Sequence, residues 1–252
     1  DFSTGNSSPP DNFLLKTDGN GIEQWNQIFE GVLGYSVQQT TDGGYIIAGI
    51  LFDTAYGSMG WLLKTDGQGD AIWFNTFDDI WNSPEGSIVF GSVQQTTDGG
   101  YIITGTMGFS EGGSRAYLIK TDYNGVKQWD QGFQTQVQNI GYRASSSVQQ
   151  TTDGGYVICG RIEDNQWNSD VWLIKTDGNG DSLWTKTFGG SNNDQGRSVQ
   201  QISSGGYIIA GMTESFGDTL GDFYIVKTDG NGDSLWTKTF GGLVANSIQQ
   251  TT

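Results

Sequence analysis

Apolar residues in this chain come in short runs of four to six, split by Gly, Asp, Asn and Ser, and no segment keeps the rhythm of a helix. Four kinds of run recur. Strand A is a half-polar Ser-Val-Gln-Gln-Thr stretch. Strand B is Gly-Tyr-Ile-Ile-Ala-Gly, rich in β-branched and aromatic residues. Strand C is the apolar run that ends in Lys-Thr-Asp, as in Tyr117–Lys120. Strand D is Trp-x-x-x-Phe, whose spacing puts both rings on one face of a strand. Asp-Gly-Gly joins A to B, and Asp-Gly-Asn-Gly or a close variant joins C to D. Both are turn chemistry, because Asp, Asn and Gly tolerate positive φ.

The runs repeat in fixed order. Strand A begins at Ser36, Ser92, Ser147, Ser198 and Ser247. The lysine that closes strand C is Lys16, Lys64, Lys120, Lys175 and Lys227. Lys175–Gly190 and Lys227–Gly242 are identical, which points to duplication or an idealised array. A period of 48 to 56 residues suits one four-stranded propeller blade and is long for most solenoid repeats. The expected fold is therefore an all-β, five-bladed β-propeller with four antiparallel strands per blade. Blade 1 takes residues 1–30 plus 247–252, blade 2 takes 36–78, blade 3 takes 92–134, blade 4 takes 147–190 and blade 5 takes 198–242. Phe2-Ser-Thr-Gly lines up with Ile102-Ile-Thr-Gly of strand B. Ser247–Thr252 then supplies the first blade's strand A and closes the ring, removing the free sheet edge. The alternative is a cut from an array of six or more blades.

Composition narrows the chemistry. Apolar residues make up 35 % and aromatics 13 %, enough for a substantial core, and 40 Gly against 3 Pro reads as turn-rich rather than disordered. A net charge of −16 repels nucleic-acid phosphates and anionic lipid headgroups, fits solubility outside cells and could attract divalent cations. There is no His, so the commonest general base and the commonest transition-metal ligand are absent. Cys159 lies in an apolar run and reads as a buried small hydrophobe, with a reactive thiol as the alternative. No run approaches the ~20 apolar residues of a membrane span. No signal-peptide pattern is seen, so the chain reads as mature or as an excerpt.

The pattern Ser-Val-Gln-Gln-Thr-x-Asp-Gly-Gly-Tyr-Ile-Ile-Ala-Gly, then Leu-Ile-Lys-Thr-Asp-x-Asn-Gly, then Trp-x-Lys-Thr-Phe-Gly-Gly resembles the tandem β-propeller repeats of large secreted and cell-surface prokaryotic proteins. The resemblance covers nearly the whole chain. It implies an extracellular or cell-surface propeller, mostly without assigned activity, so it transfers no catalytic residue. The blade count is also similar to tachylectin-like sugar-binding propellers and five-bladed glycosidases, at the level of fold alone.

Function is expected where the repeat is broken. The A–B and C–D turns are near-copies of one another, whereas the B–C and D–A loops vary, and specific sites sit on variable loops held by a rigid frame. All four Arg map to that variable face: Arg115 and Arg161 to B–C loops, Arg143 and Arg197 to D–A loops. Aromatics outside the repeat map there too, among them Tyr35, Phe52, Tyr56, Trp81, Phe109, Tyr142, Trp167 and Phe216. Arg with exposed rings is the composition of a binding surface and suits sugars. The candidate ligand-binding set is Arg143, Arg161, Arg197, Arg115, Tyr142, Trp167 and Trp81, and the partner is a glycan or a protein.

No catalytic motif is present. Asp78, Asp79, Glu85, Glu111, Glu163, Asp164 and Glu214 are the carboxylates a hydrolase could draw on, but none lies in a recognisable pattern. Asp177, Asn179, Asp181, Asp229, Asn231 and Asp233 resemble the start of a calcium loop. Phe188 and Phe240 stand where that loop needs its twelfth-position carboxylate, so the turns read as structural, with calcium as the alternative. The Gln pairs of strand A read as interblade hydrogen bonding, with a channel ligand as the alternative. The function expected is an extracellular binding or adhesion module. The alternatives are a structural subunit of an extracellular assembly and a glycan-active hydrolase.

Overall fold

A computed structural model describes residues 11–53, 57–77, 87–109, 113–133, 143–163, 168–217, 221–242 and 244–250. They form eighteen strands and no helix. The first sheet pairs β1 (Asn12–Thr17) with β2 (Glu23–Phe29). The second runs β3 (Val32–Gln39), β4 (Tyr45–Asp53), β5 (Gly57–Thr65), β6 (Ala71–Phe77). The third runs β7 (Ser87–Gln95), β8 (Tyr101–Gly108), β9 (Ser114–Thr121), β10 (Lys127–Phe133). The fourth runs β11 (Arg143–Gln150), β12 (Tyr156–Glu163), β13 (Ser169–Thr176), β14 (Ser182–Phe188). The fifth runs β15 (Asp194–Gln201), β16 (Tyr207–Thr213), β17 (Asp222–Thr228), β18 (Ser234–Gly241). Strand order follows chain order in every sheet, as short hairpin turns require. The architecture is propeller-like, with the A, B, C and D runs each on their own strand.

The core lies between sheets. Strands β4 and β5 pack on β7, β8 and β9 on β11, and β12 and β13 on β15. Ile46, Leu62 and Phe77 of the second sheet thus meet Phe90, Val93 and Ile103 of the third. Middle strands are covered on both faces, and for that reason β8 and β12 open with five consecutive buried residues. Outer strands are covered on one face only: β6 and β14 alternate, with Trp73 and Trp184 on the inward side. Each such Trp meets the Tyr that opens strand B of the next sheet: Trp25–Tyr45 at 5.5 Å, Trp73–Tyr101 at 5.9 Å, Trp129–Tyr156 and Trp184–Tyr207 at 5.8 Å between ring centroids.

Inner strands are zipped by side chains. The Gln95 N–H donates to Gln38 Oε1 (2.6 Å), Gln150 N–H to Gln94 Oε1 (2.6 Å) and Gln201 N–H to Gln149 Oε1 (2.5 Å). The second Gln of each pair reaches back: Gln95 Oε1 accepts from Thr41 N–H and Gln150 Oε1 from Thr97 N–H. Interblade bonding, the structural reading of the Gln pairs, is what they do.

One expectation needs correction. The inner strands begin four or five residues earlier than the repeat suggests, at Val32, Ser87, Arg143 and Asp194, because each continues through a bulge at Tyr35, Gly91, Ser146 or Arg197. In addition, the described residues form four complete sheets and one of two strands, with no closed ring. Phe2–Gly5, expected as strand B of the first blade, lie outside the described residues. Residues 244–250 form no strand, although Ile248 N–H donates to Ser198 Oγ (3.2 Å) and Gln250 N–H to Gln200 Oε1 (2.6 Å), the contacts an inner strand makes.

Candidate binding face

At the variable-loop end of each complete sheet, one residue from each of strands A, B and C lines up in a row. The rows read Val32, Leu51, Met59; then Ile88, Met107, Arg115; then Arg143, Ile162, Asp170; then Asp194, Thr213, Asp222. Around the molecule the same positions change from apolar to charged. Val32 and Ile88 are core residues, whereas Asp194 in their place is a fully buried carboxylate. A charge in such a site needs hydrogen bonds to persist. Asp194 Oδ2 accepts from Gly190 N–H (2.9 Å) and from the Ser215 hydroxyl (2.6 Å), while Oδ1 has no hydrogen-bond partner. Burial first, then the Asp194 carboxylate, push the Tyr224 hydroxyl up to about 12. Sequence reasoning missed Asp194. The signal for it is a carboxylate in register with Val32 and Ile88 of the second and third sheets.

The predicted arginines sit on strands, not in loops, because the strands run further into the variable face than the repeat implies. Arg115 is the second residue of β9, and its guanidinium lies 4.8 Å from the centre of the Phe109 ring. Arg161 is half-buried within β12; one terminal nitrogen lies 3.7 Å from Glu163 and its Nε is buried without a partner. Arg197 is exposed on the β15 bulge, where it donates to Gln195 Oε1 (3.4 Å). Arg143 opens β11 opposite Ile162, and its side chain lies outside what is described, as do Tyr142, Trp167 and Trp81. The arginines therefore stand on consecutive blades, and the three described side chains are each engaged by a neighbour of the same blade. Tyr35 holds the bulge position of the second sheet that Arg197 holds in the fifth, and it is 53 % exposed.

No protein-family model matches the chain, and no curated protein does. A solved structure of a protein of unknown function from Dyadobacter fermentans DSM 18053 is similar, with a TM-score of 0.54 at 13 % identity, over 81 % of this chain and 62 % of that one. The chain thus spans under two thirds of that protein, and the likeness extends to fold alone.

On the opposite face the repeated turns use their carboxylates internally. Asp177 Oδ1 accepts from the N–H of Asn179 and of Asp181 at 2.9 Å each, and Asp229 Oδ1 accepts from Asn231 and Asp233 in the same way. One carboxylate oxygen so employed closes the turn on its own backbone. Among the described residues no three His, Cys, Asp or Glu side chains converge as metal ligands. Of the carboxylates a hydrolase could use, Glu163 faces Arg161 and Glu214 Oε2 accepts from Asn193 (3.0 Å). Asp78, Asp79, Glu85, Glu111 and Asp164 lie outside the described residues. Cys159 is buried, and that burial pushes its thiol far above the usual range.

Proposed function

We propose that this chain is a non-enzymatic binding or adhesion module of the extracellular or cell-surface kind, with its ligand site on the variable face around Arg143, Arg161 and Arg197. Its frame is a five-bladed ring in which Ser247–Thr252 serves as the inner strand beside β1 and β2. One observation carries the site: the exposed Arg197 occupies the extra residue of an inner-strand bulge, the device by which a strand re-aims a side chain. Tyr35, at the equivalent bulge, adds a stacking surface. A planar guanidinium fork with a ring favours carboxylate- or sulfate-bearing sugars, or an acidic protein patch. The charge of −16 opposes such a partner at long range, so affinity is modest and falls with salt. The test is a glycan array of uronate- and sulfate-bearing oligosaccharides, probed with the parent and with an Arg143→Ala, Arg161→Ala, Arg197→Ala variant of unchanged melting temperature. A tenfold or greater loss is expected. If the triple variant binds as tightly as the parent, the site is elsewhere.

A further inference from the structure

Every joint between consecutive sheets has the same lock. The strand-D Trp of one sheet lies over the glycine that ends the C–D turn of the next. A Cβ built on Gly69 would stand 2.7 Å from Trp25, and on Gly125, Gly180 and Gly232 it would stand 2.6 Å from Trp73, Trp129 and Trp184. The seat therefore needs glycine for close approach as well as for its positive φ, 86° at Gly69. Two half-locks are left over. Gly21 has the turn and the φ of 79°, yet meets nothing within 4 Å. Trp236 has the strand, yet is 39 % exposed, with Phe240 exposed beside it. The inner strand agrees: Val37 is 54 % exposed, whereas its counterparts Val93, Val148 and Val199 are 5–6 % exposed against the preceding sheet.

We infer that Trp236 seats on the Asp18–Gly21 turn of the same chain, making the fifth interblade joint. This rests on the ring described above. The occupant is the chain's own first blade because Ser198 and Gln200 already hold Ile248 and Gln250 by the contacts an inner strand makes, and among the described residues the sheet without an inner strand is β1–β2. A tethered segment also outcompetes a free copy, acting at an effective concentration on the order of millimolar. Lys238 is then placed over Ile22. In three of the four existing joints the residue two past the Trp bonds the residue after the glycine, as in Gln27–Asp70 (3.0 Å) and Lys186–Asp233 (2.7 Å); in the fourth, where Val126 follows the glycine as Ile22 does here, Asn75 donates to the Asn124 carbonyl (3.0 Å).

The experiment pairs cysteines across the new joint, Lys238→Cys with Ile22→Cys. Lys186→Cys with Asp233→Cys serves as the positive control, and Cys159 is too buried to compete. Amide exchange is read in the parent at Val37 and Gln39, whose N–H groups face the gap that Ser247–Thr252 would fill. Expected are an intramolecular disulfide in the monomer and slowed exchange. Disulfide-linked dimers would assign the seat to a second copy and overturn the inference. No cross-link beside slow amides would leave a ring closed by another contact and sink the Trp236 seat alone. No cross-link with freely exchanging amides would sink both seat and ring.

Discussion

At the scale of single residues, the repeat is a set of hydrogen-bonding duties. Lys120 is buried, with its ammonium on Asp98 Oδ2 (2.8 Å) and the Thr121 carbonyl (2.9 Å), and Lys64 and Lys175 do the same with Asp42 and Asp153. For Asp98, partial burial pushes the carboxyl up, but hydrogen bonds from Lys120, Thr96 and Gly100 outweigh it and hold it at about 2, against 3.8 ordinarily. A folded value below the unfolded one means stability that is present above about pH 4 and is lost as pH falls toward 2. The carboxyl is more than half exposed, so solvent keeps this contribution under about 1 kcal/mol. Asp98→Asn is therefore expected to lower the melting temperature at pH 7, by leaving the ammonium under-partnered, and to flatten its decline between pH 4 and pH 2. Parallel melting curves for parent and variant across that window would refute the pairing. The Asp-Gly-Gly signature was legible as a turn. Its second duty, holding a buried lysine twenty-two residues away, was not, because sequence carries no distance across strands.

Among elements, the bulge on each inner strand is the feature the repeat hid. Beside it, the carbonyl two residues before the extra residue presses against strand B, and the glycine of Ile-Ile-Ala-Gly or Ile-Ile-Thr-Gly stands there. A Cβ on Gly105 would overlap the Val89 carbonyl oxygen and stand 2.9 Å from Phe90 Cα. Strand propensity alone favours Ala over Gly. Packing reverses the sign: Gly105→Ala is expected to cost about 3 kcal/mol in a urea titration. The same change at Gly241, which meets nothing within 4 Å, is expected to shift stability by less than about 0.5 kcal/mol. Equal effects at the two sites would remove the bulge from the account. In sequence that glycine looks like the end of a strand; in the fold β8 runs on to Gly108.

For the whole molecule, stability is shared among similar joints between consecutive sheets. Residues 247–250 cover one end of the series by bonding Ser198, Gln200 and Ser203. Deleting residues 247–252 removes several hydrogen bonds of about 1 kcal/mol each. It is expected to lower the melting temperature by about 5 °C or more, since 1 kcal/mol moves a chain of this size by roughly 2–4 °C. An unchanged melting temperature would show that the segment contributes nothing.

For the eighteen described strands, identity, order and the two turn types were legible in sequence alone. They depend on period-2 patterning and on turn residues, which act within a few positions of each other. The tertiary structure decided what depends on neighbours fifty residues apart. It turned the Gln pairs into an interblade zipper and placed a buried carboxylate, Asp194, where the second and third sheets carry Val32 and Ile88. It also moved the arginines from loops to strands and left Trp236 without the seat that the other four strand-D tryptophans have. A repeat shows what every blade must share. Only packing shows which blade lacks a neighbour, because a missing contact leaves no mark on the residues that would have made it.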